Sequence, residues 1–363
     1  MSVSDRLAAW KNGLIANPAF QAFAIANPLL RPVANRKAAE SFDLVAGFVY
    51  SQILAATVES GLLQLAAHGP MTAEDFAKAS GLGAPGAERL MLAATALNVL
   101  RRQADARFAL GETGAALRGN PSVFAMIRHH RLLYPDLDDI MGCLRARTPE
   151  TGLGRFWAYG AEADPEEAGA YSRLMAETQT LVAEEVIRVA SLGRSKALME
   201  VGGGHGVFLE RAGARYPKLA LRLADLPQVA GQARDRLASG PLSGRLETFG
   251  LDFLSDPLPR DADTITLIRV LHDHDDEPAA SLLRNIRQAL PPKGRLVLAE
   301  PMADTPGAAK MGDAYFGMYL WAMGRGRPRS FEQISKMLRT AGFTRIARKA
   351  TRAPLLVSAL EAR

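Results

Sequence analysis

The residue best placed for proton chemistry is His272, which follows the apolar run 264–271 and precedes an amphipathic segment starting near Glu277. That spacing puts it at the carboxyl end of a strand, where open parallel sheets present their ligands, and a neutral imidazole there can take a proton from a bound hydroxyl. Glu300 closes another strand-like run, 295–300. A turn, Glu200-Val-Gly-Gly-Gly-His-Gly206, follows a third run, and its glycines Gly202, Gly203, Gly204 and Gly206 let the backbone bend tightly against a ligand that a Cβ would exclude. The dinucleotide fingerprint needs a further glycine at the position held by Val207, which disfavours a dinucleotide oxidoreductase. Asp225 ends the next strand nineteen residues after Gly206, where an acid accepts from both hydroxyls of a ribose; capping the helix after Pro227 is its competing use. Asp252 and Phe253 end a further piece, suited to an adenine amine and ring face, although an Asp there also suits a turn.

The other histidines rank lower. His274 stands among Asp273, Asp275, Asp276 and Glu277, but acids in a first helical turn answer the helix dipole, and no metal is expected. His205 lies inside the glycine turn. His129 and His130 fall in a helical region, where core or surface roles are the default, and His68 sits in a turn.

The elements that position these residues show two textures. From about residue 195, short apolar strands alternate with amphipathic helices, the rhythm of a parallel sheet covered on both faces. Residues 42–185 read as helical, and a helix opening at Thr72-Ala-Glu-Asp75 and another at 85–99, followed by a short extended pair, give the order of a winged helix. We therefore expect an N-terminal helical arm (1–40), a winged-helix-like part (41–185) and an α/β part (186–363). With 363 residues, 48% hydrophobic and 23% charged, the chain can build a sizeable core, and a net charge of +6 is too modest for a dedicated nucleic-acid binder. The lone Cys143 argues against a disulfide scaffold and for a reducing cytoplasm, and the first thirty residues lack a secretory h-region. The apolar stretch 42–69 is broken by polar residues and reads as a buried core helix. In the arm, Arg6, Lys11, Arg31, Arg36 and Lys37 outnumber Asp5 and Glu40; it either packs on protein or rests on an anionic membrane surface.

Together with Ala224-Asp-Leu-Pro227, Gly250-Leu-Asp-Phe253, Arg269-Val-Leu-His-Asp273 and Leu298-Ala-Glu-Pro301, the glycine turn resembles, in order and spacing, the S-adenosylmethionine-dependent O-methyltransferases of the hydroxyindole, caffeate and flavonoid type. The resemblance covers nearly the whole chain. It implies a Rossmann-like class I methyltransferase domain, with a mainly parallel seven-stranded sheet and helices on both faces, and a helical, winged-helix-like domain that forms a homodimer. It implies that 200–206 hold the methionine end of the cofactor, Asp225 with Leu226 the ribose, Asp252 and Phe253 the adenine, with Arg269 nearby. His272 matches the family's catalytic base, and Glu300 would flank its ring. Ser41–Ser51 and Met323–Ser330 resemble more narrowly the bacterial carotenoid O-methyltransferases, whose acceptor is the tertiary 1-hydroxyl of hydroxyneurosporene or demethylspheroidene.

One departure stands out. Where plant members carry a second Glu facing the histidine, this chain has Pro328, which leaves Glu300 as the one expected partner; Arg325, Arg327 and Arg329 around it read as a solvated loop. Tyr315, Met318, Tyr319 and Met323 lie on a helix with almost no polar face, which suits either core or the wall of an apolar pocket completed by Phe156, Trp157 and Tyr159. A polyene fits such a pocket, and so does a flat phenolic or quinone ring. A transcription regulator needs a basic recognition helix, and 85–99 offers only Arg89 against Glu88. A cofactor-binding protein without catalysis is the remaining alternative, which an intact His272 and Glu300 oppose.

Overall fold

The computed structural model describes residues 2–146, 150–157, 165–238 and 240–363. They form two compact units, Met1–Gly119 and Asn120–Arg363. In the first, helices Val3–Ala16, Pro18–Ala26, Arg31–Glu59, Leu62–His68, Ala73–Ser80 and Ala84–Ala96 precede an antiparallel ribbon, β1 (Leu100–Arg102) with β2 (Phe108–Leu110), and helix Glu112–Arg118. Local chemistry sets these boundaries. Thr72 accepts from the Asp75 N–H while Asp75 answers the Thr72 N–H, a capping box, and Gly81 ends that helix in the left-handed conformation.

The Arg31–Glu59 helix differs from expectation. Only Ala55, Thr57 and Val58 are buried, while Phe42, Leu44, Val45, Phe48 and Val49 are exposed, Leu44 at 78%. By length and composition alone this helix could cross a membrane, because the polar residues that break its apolar run are too few to lower its mean hydropathy. A row of this size on a monomer calls for a partner.

The second unit holds the sheet. Its strands are β3 (Ala197–Val201), β4 (Ala220–Asp225), β5 (Leu246–Gly250), β6 (Thr264–Ile268), β7 (Arg295–Glu300), β8 (Ile346–Lys349) and β9 (Ser358–Ala362), in the order β5-β4-β3-β6-β7-β9-β8. All pairs are parallel except those made by β9. The expected strands are present, and β8–β9 add the antiparallel edge. Side chains alternate between two cores as the pleat requires. Met199, Val201, Leu296 and Leu298 pack with Leu282, Ile286 and Leu338 on one face, and Leu198, Val297 and Ala299 pack with Val182, Val186 and Phe208 on the other. Truncating a leucine in such a core costs about 2–5 kcal/mol.

Strand order reverses between β3 and β6, the place where a doubly wound sheet opens a crevice at its strand ends. Register brings Asp225 beside Gly250, Val201 beside both Ala224 and Leu267, and Ile268 beside Ala299. After β7 the chain enters a π-helical turn, Lys310–Phe316, continuing as the α-helix Gly317–Met323. Helices Pro121–Asp136 and Gly152–Trp157 pack with the latter.

Burying each exposed side chain of the Arg31–Glu59 row contributes about 1.5–3 kcal/mol, so charges there should dissociate a dimer. Light scattering should give the 39.0 kDa monomer for the double variant Val45→Glu, Phe48→Glu and twice that mass for wild type. A monomeric wild type at micromolar concentration would remove the dimer.

Candidate active site

The glycine turn begins with a buried acid. Glu200, 1% exposed, is the penultimate residue of β3, and its Oε2 has no hydrogen-bond partner among the described residues. Burial pushes its carboxyl well above the usual range, and the neighbouring Asp225 adds to the effect. Gly202 takes φ +69°, and a Cβ there would stand 2.6 Å from Val270 Cγ2, so only glycine lets the turn close against β6. The Gly204 N–H donates to Asp225 Oδ2 and the Leu226 N–H to Asp225 Oδ1, both at 2.8 Å. Burial raises the Asp225 carboxyl while those two bonds hold it down. Each oxygen keeps a lone pair for a further donor. Gly203 and Gly206 complete the turn, with Gly206 N–H donating to Gly203 O at 2.9 Å.

Asp252 spends its carboxylate locally. It accepts from the Leu254 N–H at 3.0 Å and the Ser255 hydroxyl at 3.1 Å, the turn-capping use that the sequence left open. The Phe253 ring meets His274 edge-on at 6.0 Å between centroids, and burial lowers the His274 imidazole. Arg269 adopts φ +56°, a left-handed backbone that costs a non-glycine residue about 1–3 kcal/mol, and donates to Thr178 Oγ1 at 3.2 Å.

His272 sits on the one-turn helix Leu271–Asp273, 4% exposed. Glu300 Oε1 accepts the backbone N–H of His272 at 3.1 Å and lies 3.6 Å from ring Nδ1, beyond a hydrogen bond. The other ring nitrogen, Nε2, is 3.2 Å from Asp273 Oδ1. Thus a second carboxylate does flank the ring, supplied by the next residue in the chain; the expectation of Glu300 as sole partner is corrected. Burial works against a charge on the imidazole and Arg269 opposes it, but Asp273 and Glu300 outweigh both and the pKa stands above the ordinary 6.5. The basic loop is corrected too. Arg329 is 1% exposed and bonded throughout, and only Arg325 is a fully exposed member. No group of three or more His, Cys, Asp or Glu suited to a metal occurs among the described residues.

An aromatic wall stands next to this turn. Phe316 lies 5.9 Å from the His272 ring, Tyr315 stacks on Tyr319 at 6.0 Å, and Phe156 is 4.9 Å from His129. Trp157 Nε1–H donates to Tyr319 Oη at 2.8 Å, and the same oxygen pairs with His129 Nε2 at 2.6 Å. Tyr315 Oη pairs with His130 Nε2 at 2.6 Å. Burial pushes His129 down to about 4 and lowers His130, so both rings are neutral, and it raises both phenols. Met323 is buried in the adjoining cluster with Leu133, Leu153 and Leu320; Met318 is half-buried, and Tyr159 lies outside the described residues. The sequence did not single out His129 and His130. Their signal was the two phenols on an otherwise apolar helix, which needed buried partners.

Residues 138–344 match the O-methyltransferase domain and residues 42–118 the O-methyltransferase dimerisation domain, so the chain belongs to the S-adenosylmethionine-dependent O-methyltransferases. It is 44% identical to the demethylspheroidene O-methyltransferase of Cereibacter sphaeroides over 331 residues, spanning 90% of this chain and 87% of that one. It is 40% identical to the demethylspheroidene O-methyltransferase of Rhodobacter capsulatus over 339 residues, 92% and 84% of the two chains. The fold is that of human N-acetylserotonin methyltransferase in complex with SAM, at TM-score 0.75, 22% identity and coverage of 90% and 97%. The dimerisation domain includes the exposed Arg31–Glu59 row and supports a homodimer, and the substrate is a small molecule.

The turn fits the family's cofactor. The orphaned Glu200 oxygen and the spare lone pairs of Asp225 call for donors that a methionine ammonium and ribose hydroxyls bring. Asp225→Ala removes that acceptor and the tie to Gly204, and should weaken S-adenosylmethionine binding by about one to two orders of magnitude, the scale of a charged hydrogen bond. Unchanged affinity by calorimetry would exclude Asp225 from the ribose site.

Proposed function

We propose that this O-methyltransferase modifies the tertiary 1-hydroxyl of an acyclic carotenoid such as demethylspheroidene or hydroxyneurosporene, with S-adenosylhomocysteine as by-product. The observation that supports an apolar acceptor is the wall itself: the Tyr315 and Tyr319 hydroxyls are tied to His130 and His129, so the polar atoms of this cluster are paired within it and what it has left to offer a ligand is apolar. The two relatives at 44% and 40% identity carry that acceptor in their names. The cofactor supplies an activated methyl on its sulfonium. Glu200, Gly202, Gly203, Gly204 and Gly206 hold its amino-acid end, Asp225 and Leu226 its ribose, and Asp252, Phe253 and Arg269 line the adenine side. Phe156, Trp157, Tyr315, Met318, Tyr319 and Met323 align the acceptor.

His272 is the base. A tertiary alkyl hydroxyl is a far weaker acid than imidazolium, so its proton leaves as the new C–O bond forms and not before. When one ring nitrogen takes that proton, the carboxylate facing the other keeps its N–H in place, and Glu300 and Asp273 together offset the new charge. Functionally the chain divides into the arm (1–40), a dimerisation and substrate-lining part (41–185) and the cofactor-binding part (186–363).

Transfer of labelled methyl tests both acceptor and base. Label should enter 1-hydroxy carotenoids and not catechols; the reverse would move the reading to a phenolic or quinone acceptor. His272→Ala should lower turnover about 10²- to 10⁴-fold with cofactor affinity unchanged, and turnover within a few fold of wild type would remove the base assignment. Because neutral imidazole is required and the pKa is raised, the wild-type rate should fall as pH drops through a value above 6.5.

The arm extends this reading to where the acceptor resides. Val3, Leu7 and Trp10 form an exposed row at helical spacing, at 86%, 63% and 66%, with Arg6 and Lys11 at its edges and Asp5 on the far side. The arm therefore rests on the cytoplasmic surface of an anionic membrane. Wild type should co-sediment with vesicles containing phosphatidylglycerol but not with neutral ones, and Leu7→Glu with Trp10→Glu should abolish this. Equal sedimentation of both proteins would assign the arm to protein packing.

A further inference from the structure

Arg329 is the largest fully buried side chain among the described residues, and its donors converge on a single short segment. Nη1 donates to Leu271 O at 3.1 Å, Nη2 to His274 O at 2.8 Å, and Nε and Nη2 to Asp276 Oδ1 at 3.0 and 2.8 Å. The first two acceptors bracket His272 and Asp273. Of the two carbonyls between them, His272 O accepts from the Arg327 N–H at 2.9 Å, and Gly326 N–H donates to Asp275 Oδ1 at 2.9 Å. Gly326 is what lets the two segments meet, since a Cβ on it would stand 2.2 Å from His272 O. Gly326, Arg327 and Arg329 thus each bond to the segment 271–276 that carries the catalytic turn.

The turn needs such support. It leaves β6 through Arg269 at φ +56°, and a strained backbone persists only where its surroundings fix it. The His272 ring itself gives little hold, because Nδ1 makes no hydrogen bond and Phe316 touches it only edge-on.

We propose that Arg329 is a positioning residue for methyl transfer, whose guanidinium holds the Leu271 and His274 carbonyls and so fixes the His272 imidazole between Asp273 and Glu300. The inference rests on His272 as the base. Arg329 spends its donors on protein acceptors behind the turn, and a planar fork serves here where an ammonium, a single point of charge, does not. Losing it should lower kcat and leave cofactor binding intact.

The test compares Arg329→Met and Arg329→Lys with His272→Ala and with Arg295→Met. Arg295 is also buried, bonded to Glu361, Thr264, Ser191 and Ser195, but at the amino end of β7, the end away from Glu300. Arg329→Met should lower kcat by about 10- to 100-fold with the Kd for S-adenosylmethionine within twofold of wild type. Its pH–rate profile should move to lower pH, since an imidazole drawn away from Asp273 and Glu300 loses the charges that favour its protonated form, while Arg269 still opposes it. Arg329→Lys should recover only part of the rate, and Arg295→Met should lower Tm with kcat and profile unmoved. A folded Arg329→Met with wild-type kcat and profile overturns the inference. So does a loss of rate that tracks Tm in the Arg329 and Arg295 variants alike with the profile fixed. If Arg329→Met does not fold, Arg329→Lys and Asp276→Asn are read by the same two measures. A His272→Ala enzyme that keeps its rate instead removes the base, whatever the Arg329 variants do.

Discussion

Three carboxylates, Glu200, Asp225 and Glu300, are buried at or next to the crevice ends of β3, β4 and β7, and the site exists because the fold tolerates them there. An ionised group taken from water is expensive, and two of these are met by backbone N–H groups that only a particular loop supplies. Gly204 and Leu226 answer Asp225, and the turn carrying His272 answers Glu300. The loops are thus shaped by the acids as much as the acids are placed by the strands. Glu200 is left with an unanswered oxygen, which makes the protein without its cofactor less settled at this corner than the protein with it.

What the sequence made legible was local. Strands β3, β4, β6 and β7, the glycine turn, Asp225 and His272 all follow from short-range pattern: apolar runs of five or six residues, closed by a polar residue at the crevice end. The edge strand β8, Ile346–Lys349, carries two basic residues in four, Arg348 exposed and Lys349 half-buried, and gives no such pattern. What stayed hidden depends on contacts between residues far apart in the chain. Arg329 reads as one more basic residue in a polar loop until its partners, more than fifty positions earlier, are in place. His129 and His130 acquire a purpose only from tyrosines 185 and 190 residues away. Asp273 was visible, but grouped with acids of the following helix instead of with the ring beside it.

The Arg31–Glu59 helix shows a different limit. Its composition suits a core, a membrane span and a subunit interface equally, because all three reward apolar surface without specifying what covers it. Only the exposure of its middle, together with the dimerisation domain that takes in the helix from residue 42 onward, separates these cases.

The π-helical turn Lys310–Phe316 has a consequence for how such an enzyme changes over generations. A wide turn carries about one more residue than an α-helical turn in its place would, and each residue is worth about 100° of rotation. Loss of a single codon within it would rotate Tyr315 and Phe316 relative to the helix that follows, while β7 before it and Gly317–Met323 after it keep their own hydrogen bonding. The aromatic wall is in this way separable from the sheet: a one-residue deletion would change how Tyr315 and Phe316 are presented while leaving the strands that carry Glu200, Asp225 and Glu300 as they are.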